Sequence, residues 1–369
     1  MKSLGVVSCN IHCNFTNYGS ALQSWALCRV VGRLGCRAVL LDYRPAALRD
    51  ANPLDPFKNM WDKDAESRRM CEATLPAIRE NHRKFERFYT ERFERSKGRY
   101  VPENFCDCVA REGLDGFVCG SDTIFSIDEF KGFDDGYYAN YPCMRGRSVA
   151  YAASFGDSGF SQADLETLAA RLSNFKAVGL RENAMLDRVK AMTAVPVRRV
   201  VDPTLLLSAA DYSEIAAAGS PGKPYLLLYS RRYNPGMEAF AVRQARERGL
   251  AVVEISLRAA NAGRGHEMRY DAGVEEFLAL VRDASFVVTN SFHGLLFAAQ
   301  YSRQVAVFSR EQGDSKIREA LELLGMPDRL FATGSEPVPE DADYAAVHGR
   351  LEEARRSSMA FLEEELELA

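Results

Sequence analysis

What the sequence lacks narrows its function before any motif is considered. No stretch of the 369 residues approaches the roughly 18 uninterrupted apolar residues that a membrane-spanning helix needs, so membrane insertion is not expected. Lys and Arg number 47 against 51 Asp and Glu, a net charge of −4. A general nucleic-acid binder would need a clustered basic face, and none is evident. Met1 to Asn10 carries one lysine and then a β-like run, not the layout of a secretory leader, which predicts a cytoplasmic protein. The nine cysteines are an odd number and sit mostly in apolar runs (Cys9, Cys28, Cys36, Cys119), as reduced thiols do. Cys106 and Cys108 form C-x-C with no partner C-x-x-C, so neither a zinc nor a redox site is expected. The loop after the first strand is not G-x-G-x-x-G, which removes the dinucleotide fingerprint. No metal and no cofactor is called for.

What is present reads as a globular α/β chain. Hydrophobic residues make up 47% and charged ones 27%, a balance that supports packed cores at a length suited to two domains. Short apolar runs alternate with helical patterns. Leu4 to Val7 reads as a strand, and a helix opens near Gly19 with Leu22, Trp25, Ala26, Val30 and Leu34 on one face and Gly35 as its stop. Ala38 to Leu41 then completes a βαβ unit. From Pro45 to about Tyr100 the chain is polar and helical, expected to lie on the outside of the sheet. Strands resume at Phe117–Cys119, Ser148–Ala153, Ala177–Leu180 and Val200–Val201. A Gly/Pro-rich break over Gly219–Pro224 precedes a second alternation with strands at 225–229, 252–255, 286–289 and 305–308. The expected architecture is two Rossmann-like domains, 1–210 and 211–369, with a charged terminal helix over 344–368.

Ligands of open parallel sheets bind beyond the carboxyl ends of strands, which nominates the loops Asn14–Ser20, Gly120–Asp122, Ser154–Asp157, Arg181–Glu182, Thr289–Gly294 and Glu311–Lys316. His293 follows a buried strand and opens a helix; it reads either as a packed support for the turn or as an anion-binding or acid group. Arg181 could hold a carboxylate or phosphate in two-point contact, or pair with Glu182. Asp122 reads as a base or a cap, and Asp202, before Pro203, as a turn former. A nucleophilic Cys13, beside His12, lacks any feature that would depress its pKa.

Six segments in order carry more than each does alone: N-Y-G-S-A-L-Q (Asn17–Gln23), G-S-D (Gly120–Asp122), Y-A-A-S-F-G (Tyr151–Gly156), L-R-E (Leu180–Glu182), V-D-P-T-L-L-L (Val201–Leu207) and T-N-S-F-H-G (Thr289–Gly294). In this order and spacing the chain resembles the polysaccharide pyruvyl transferases. The resemblance implies a GT-B-like fold, two Rossmann-like domains facing across a cleft, with the terminal helix packing back on the first. It implies transfer of the pyruvyl group of phosphoenolpyruvate to saccharide hydroxyls, commonly as a ketal, in the building of cell-envelope or exported polysaccharides. Phosphoenolpyruvate is then a substrate rather than a cofactor. The resemblance places Arg181 and His293 at the donor; Ser291, Gly294 and Lys316 are expected beside them, and Asn17, Tyr18, Gly19, Ser20 and Asp122 on the acceptor side, with His293, Arg181 and Asp122 as catalytic groups. Arg310 is a further phosphate candidate. A lipid-linked acceptor would place the protein at the inner face of the membrane without insertion. Where the family often carries Gln and Trp after G-S-D, this chain has Thr123 and Phe125. The competing readings are a GT-B glycosyltransferase using a nucleotide sugar and a catalytically silent saccharide-binding protein.

Overall fold

The computed structural model describes residues 1–9, 16–55, 65–219, 222–231, 234–255, 264–310, 313–335 and 341–367. His12, Cys13 and Glu311 lie outside the described residues.

Two parallel sheets organise the chain. The first contains β1 (Ser3–Val7), β2 (Arg37–Tyr43), β3 (Arg95–Tyr100), β4 (Gly116–Cys119), β5 (Ser148–Ala153), β6 (Phe175–Leu180) and β7 (Val197–Arg199), in the order β3-β2-β1-β4-β5-β6-β7. The second contains β8 (Tyr225–Tyr229), β9 (Ala251–Ile255), β10 (Glu267–Met268), β11 (Phe286–Thr289), β12 (Val305–Phe308) and β13 (Leu330–Phe331), in the order β10-β9-β8-β11-β12-β13. Each order reverses direction once, between β1 and β4 in one sheet and between β8 and β11 in the other. These switch points open a crevice at the carboxyl ends of the strands, where loops diverge to opposite faces. The fold is the GT-B-like α/β arrangement expected from the resemblance. Val200–Val201, expected as a strand, instead follows the short edge strand β7.

The longer helices among the described residues are α1 (Tyr18–Arg33), α2 (Ala65–Arg92), α3 (Gln162–Leu172), α4 (Pro235–Arg248), α5 (Val274–Arg282), α6 (Phe292–Gln300), α7 (Ser315–Leu324) and α8 (Tyr344–Glu365). Asn17 caps α1 by accepting from the Gly19 and Ser20 amides, and Ser291 caps α6 by accepting from the Gly294 amide. The side-chain oxygens thus occupy some of the amide donors that a helix start leaves unpaired.

The polar excursion does not lie on the outer face of the first sheet. Instead α2 packs against α5 of the second half: Lys84 pairs with Glu276 at 2.6 Å and Asp271 at 3.2 Å, and Arg92 pairs with Glu275. Phe85 and Phe88 are buried, so the apolar stripe read as a surface-helix face is spent on the seam between the halves. Tyr18 belongs to the same seam. Its ring stacks on Phe277 at 4.5 Å and its hydroxyl donates to the Ala272 carbonyl at 2.7 Å. The last helix starts beside the second half, where the Tyr344 hydroxyl donates to the Arg303 carbonyl, and ends on the first. There Ser358 accepts from the Val201 amide at 3.0 Å and Arg198 pairs with Glu364 at 2.6 Å.

One cysteine reading is corrected. Cys106 is joined to Cys143, 37 residues on, with Cα atoms 5.6 Å apart. Spacing could not reveal it, because the two lie in separate loops that only the fold brings together. Cys9, Cys28, Cys36, Cys108 and Cys119 form no disulfide. No described helix is long and apolar enough to cross a membrane.

Candidate active site

The loops after β1, β4, β6, β8, β11 and β12 converge on a cavity of about 330 Å³ between the two sheets. The first half contributes Asn17, Ser20, Asp122, Thr123, Glu129 and Arg181; the second contributes Arg231, Ser291, Phe292, His293, Arg310 and Lys316. Two helix starts, those of α1 and α6, meet here nearly in contact. A Cβ added to Gly19 would stand 1.9 Å from Nδ1 of His293, so only glycine lets the imidazole lie against this turn.

Arg181 is the centre of the charge arrangement. Its side chain is buried, donating from Nε to Glu182 at 2.8 Å and from Nη1 to Asp202 at 3.0 Å, with Asp122 at 3.9 Å. Its guanidinium lies over the Phe292 ring, 4.7 Å from the centroid. The remaining nitrogen, Nη2, is buried with no hydrogen-bond partner among the described residues. A desolvated donor of this kind costs free energy until something accepts from it. Arg181, Phe292 and Lys316 also border a more apolar hollow of about 260 Å³ behind the cavity, beneath α8.

Asp202 ties the halves together. One carboxylate oxygen accepts from the Thr204 amide at 3.0 Å and from its hydroxyl at 2.7 Å. The other serves Arg181 and faces His293 Nε2 at 3.6 Å, an ion-pair distance rather than a hydrogen bond. Burial opposes ionisation of Asp202, but His293, Arg181 and Thr204 outweigh it and hold the carboxyl well below the usual range. The turn-former reading of Asp202 is therefore incomplete: it shapes its turn and also pairs with Arg181 and faces His293.

Asp122 does not cap a helix. It adopts a left-handed backbone with φ of 72° and accepts from the Ser20 hydroxyl at 2.6 Å. Burial disfavours its charge, yet Arg181, His293, Lys316 and Ser20 together keep it below the usual carboxylate range. Behind it, Gln23 braces the turn, accepting from the Ser121 amide at 2.9 Å and donating to Ser8 at 2.8 Å. Lys316, on the first turn of α7, has its ammonium pushed down by burial and then by the Arg181 charge.

Of the nominated residues, Arg181, His293, Ser291, Lys316, Asn17, Ser20 and Asp122 share the cavity wall. Gly19 and Gly294 set backbone approach instead of lining it. The Tyr18 ring points away into the seam, because its flat apolar face finds Phe277 and Phe85 there. Thr123 lines the cavity, whereas Phe125 is buried and stacks on Tyr138 at 4.4 Å. Glu129 and Arg231 were not nominated. Glu129 lies ten residues beyond the end of β4, too far along its loop for the strand-end rule to single it out, and Arg231 lies only two residues beyond β8, where the rule could have found it. No His, Cys, Asp and Glu group suited to a metal ion occurs among the described residues.

The family model described as polysaccharide pyruvyl transferase matches residues 17–312, most of the chain. No curated protein matches it. Among solved structures, the chain is similar to S. aureus MnaA in a co-structure with UDP, at 13% identity and a TM-score of 0.50, covering 94% of each chain. It is also similar to Acinetobacter baumannii MurG, at 10% identity and a TM-score of 0.42, covering 98% of each chain.

Proposed function

The chain belongs to the polysaccharide pyruvyl transferase family, and from that premise we propose that it transfers the pyruvyl group of phosphoenolpyruvate to hydroxyls of a saccharide acceptor, forming a ketal in envelope or exported polysaccharide synthesis. The observation that carries this reading is the buried, unpartnered Nη2 of Arg181 in a cavity ringed by cations. Phosphoenolpyruvate brings a carboxylate and a phosphate, so its site needs at least two fixed positive regions. Arg181 supplies a preset fork, and Lys316, Arg310 and Arg231 supply further charge along the second half. The amide ends of α1 and α6 add partial positive charge where these groups would sit. His293 stands on the same wall, its Nε2 facing the Asp202 carboxylate. As C2 loses phosphate, these charges stabilise the departing anion without reorganising.

Acceptor hydroxyls enter from the side of Asn17, Ser20, Asp122 and Thr123, whose polar groups suit a sugar. A lipid-linked acceptor would bring the protein to the inner membrane face from the cytoplasm.

Thermal unfolding with added ligands tests this reading. Phosphoenolpyruvate raises the Tm progressively, with the logarithm of its concentration above Kd, while UDP and UDP-sugars leave it unchanged. Stabilisation by a nucleotide sugar with none by phosphoenolpyruvate replaces pyruvyl transfer with glycosyl transfer.

A further inference from the structure

Any transfer of this kind needs an acid at the donor's methylene carbon, and two titratable groups in the cavity compete for that task. His293 is hemmed in: Nδ1 lies against Gly19, and Nε2 is buried facing Asp202 at 3.6 Å. Glu129 is placed the other way. It keeps solvent contact inside the cleft, on the wall built from the first half. The Thr123 hydroxyl donates to its Oε2, which orients the carboxyl, and Oε1 takes no hydrogen bond from the described residues. The Glu129 amide donates to Ser126 at 3.2 Å, and Ser126 bonds Ser158 at 2.8 Å, so the loop is held in place.

On the pyruvyl-transfer reading above, we infer that Glu129 is the acid–base group of the site and that His293 helps to hold the donor. The groups facing it are Asp122 on its own loop, Lys316 at the start of α7 and Arg231 after β8. Asp157, on the adjoining 154–158 loop, is turned to Ser315 at 3.4 Å. Desolvation within the cleft raises the Glu129 carboxyl above the usual range, with Asp122 adding to the rise and Thr123, Lys316 and Arg231 opposing it. Asp122 is shifted the opposite way, so the surroundings push the two neighbouring carboxyls apart.

The steps balance. The Glu129 O–H breaks as the C3–H bond forms, leaving C2 cationic and the carboxylate behind. An acceptor hydroxyl adds to C2 and its proton returns to Glu129. The C2–O bond to phosphate then breaks, Glu129 giving its proton to the leaving phosphate. A second hydroxyl of the same acceptor closes the ketal and returns a proton to Glu129. Phosphoenolpyruvate and a diol become ketal and hydrogen phosphate, with Glu129 restored.

An incoming polyanion should drive Glu129 further to its protonated form, so donor binding takes up a proton there. Calorimetric titration of phosphoenolpyruvate in two buffers of different ionisation enthalpy, from pH 5.5 to 8, reads this directly. Wild type is expected to take up as much as about one proton more per donor than Glu129→Gln, and its Kd should weaken relative to the variant's as pH rises toward 8. The Glu129 carboxyl takes a single side-chain hydrogen bond among the described residues, from Thr123, and the amide of Glu129→Gln can accept it as well, so the substitution leaves the fold intact. Equal proton uptake by both proteins overturns the assignment and returns the acid role to His293. Absence of phosphoenolpyruvate binding by wild type is a different failure, that of the pyruvyl-transfer reading itself.

Discussion

Arg181 holds two carboxylates and still keeps one buried donor unused, an arrangement better suited to waiting for an anion than to stabilising the fold. Arg181→Lys keeps the charge and loses the fork. It should weaken phosphoenolpyruvate binding on the order of 1–2 kcal/mol, about 5- to 30-fold in Kd, as read by calorimetry. Asp202 sits below Arg181 and His293 and governs stability. Its folded carboxyl is depressed, so its contribution is complete above the ordinary aspartate pKa of about 3.9 and fades as pH falls toward the folded value. Asp202→Asn should therefore cost about 3 kcal/mol in urea unfolding at pH 7, with the gap to wild type narrowing at pH 3. An undiminished gap at pH 3 would remove the carboxylate charge from the explanation. Position after a strand pointed to Arg181, but a two-residue motif could not reveal that Asp202, 21 residues on, would be its partner. That pairing exists only once β6 and the turn after β7 lie side by side.

At the scale of elements, the site rests on α1 and α6 meeting start to start. Gly19→Ala places a methyl inside the His293 ring and must part the two helix ends. The expected cost is about 1–3 kcal/mol of stability, with a larger fall in donor affinity than a surface Gly→Ala such as Gly32→Ala would give. Equal effects at both positions would show that the contact does not shape the site. Periodicity made these helices and most strands legible, since apolar runs of four to six residues and a 3.6-residue stripe are local signals. The destination of α2 was not legible. An amphipathic stripe states that a helix buries one face, not which surface receives it, and here the receiver is α5 some 190 residues later. The short edge strands β3, β10 and β13 escaped for a related reason: half-exposed edges carry mixed residues and no continuous apolar run.

For the molecule as a whole, an apolar seam joins two sheets whose switch points face one another. The largest core cluster runs through both halves, including Tyr18, Phe85, Tyr229 and Phe277. Phe277→Ala should cost about 3–5 kcal/mol, and scanning calorimetry should show one transition moving down as a unit. Two separated transitions in the variant would mean that the halves are joined less tightly than the seam implies. The GT-B-like arrangement followed from strand alternation together with the six motifs, whereas the depth of the seam depended on side chains that look like ordinary core in sequence.

The central claim is that one cavity, closed by both halves, holds phosphoenolpyruvate through Arg181 and His293. Calorimetric titration of wild type, Arg181→Ala, His293→Ala and the double variant tests it most directly. The account predicts binding by wild type, a loss on the order of 2–4 kcal/mol in each single variant, roughly 30- to 1,000-fold in Kd, and a double loss smaller than the sum because Asp202 couples the two. Wild-type binding that survives unchanged in both single variants would place the donor elsewhere and contradict the account.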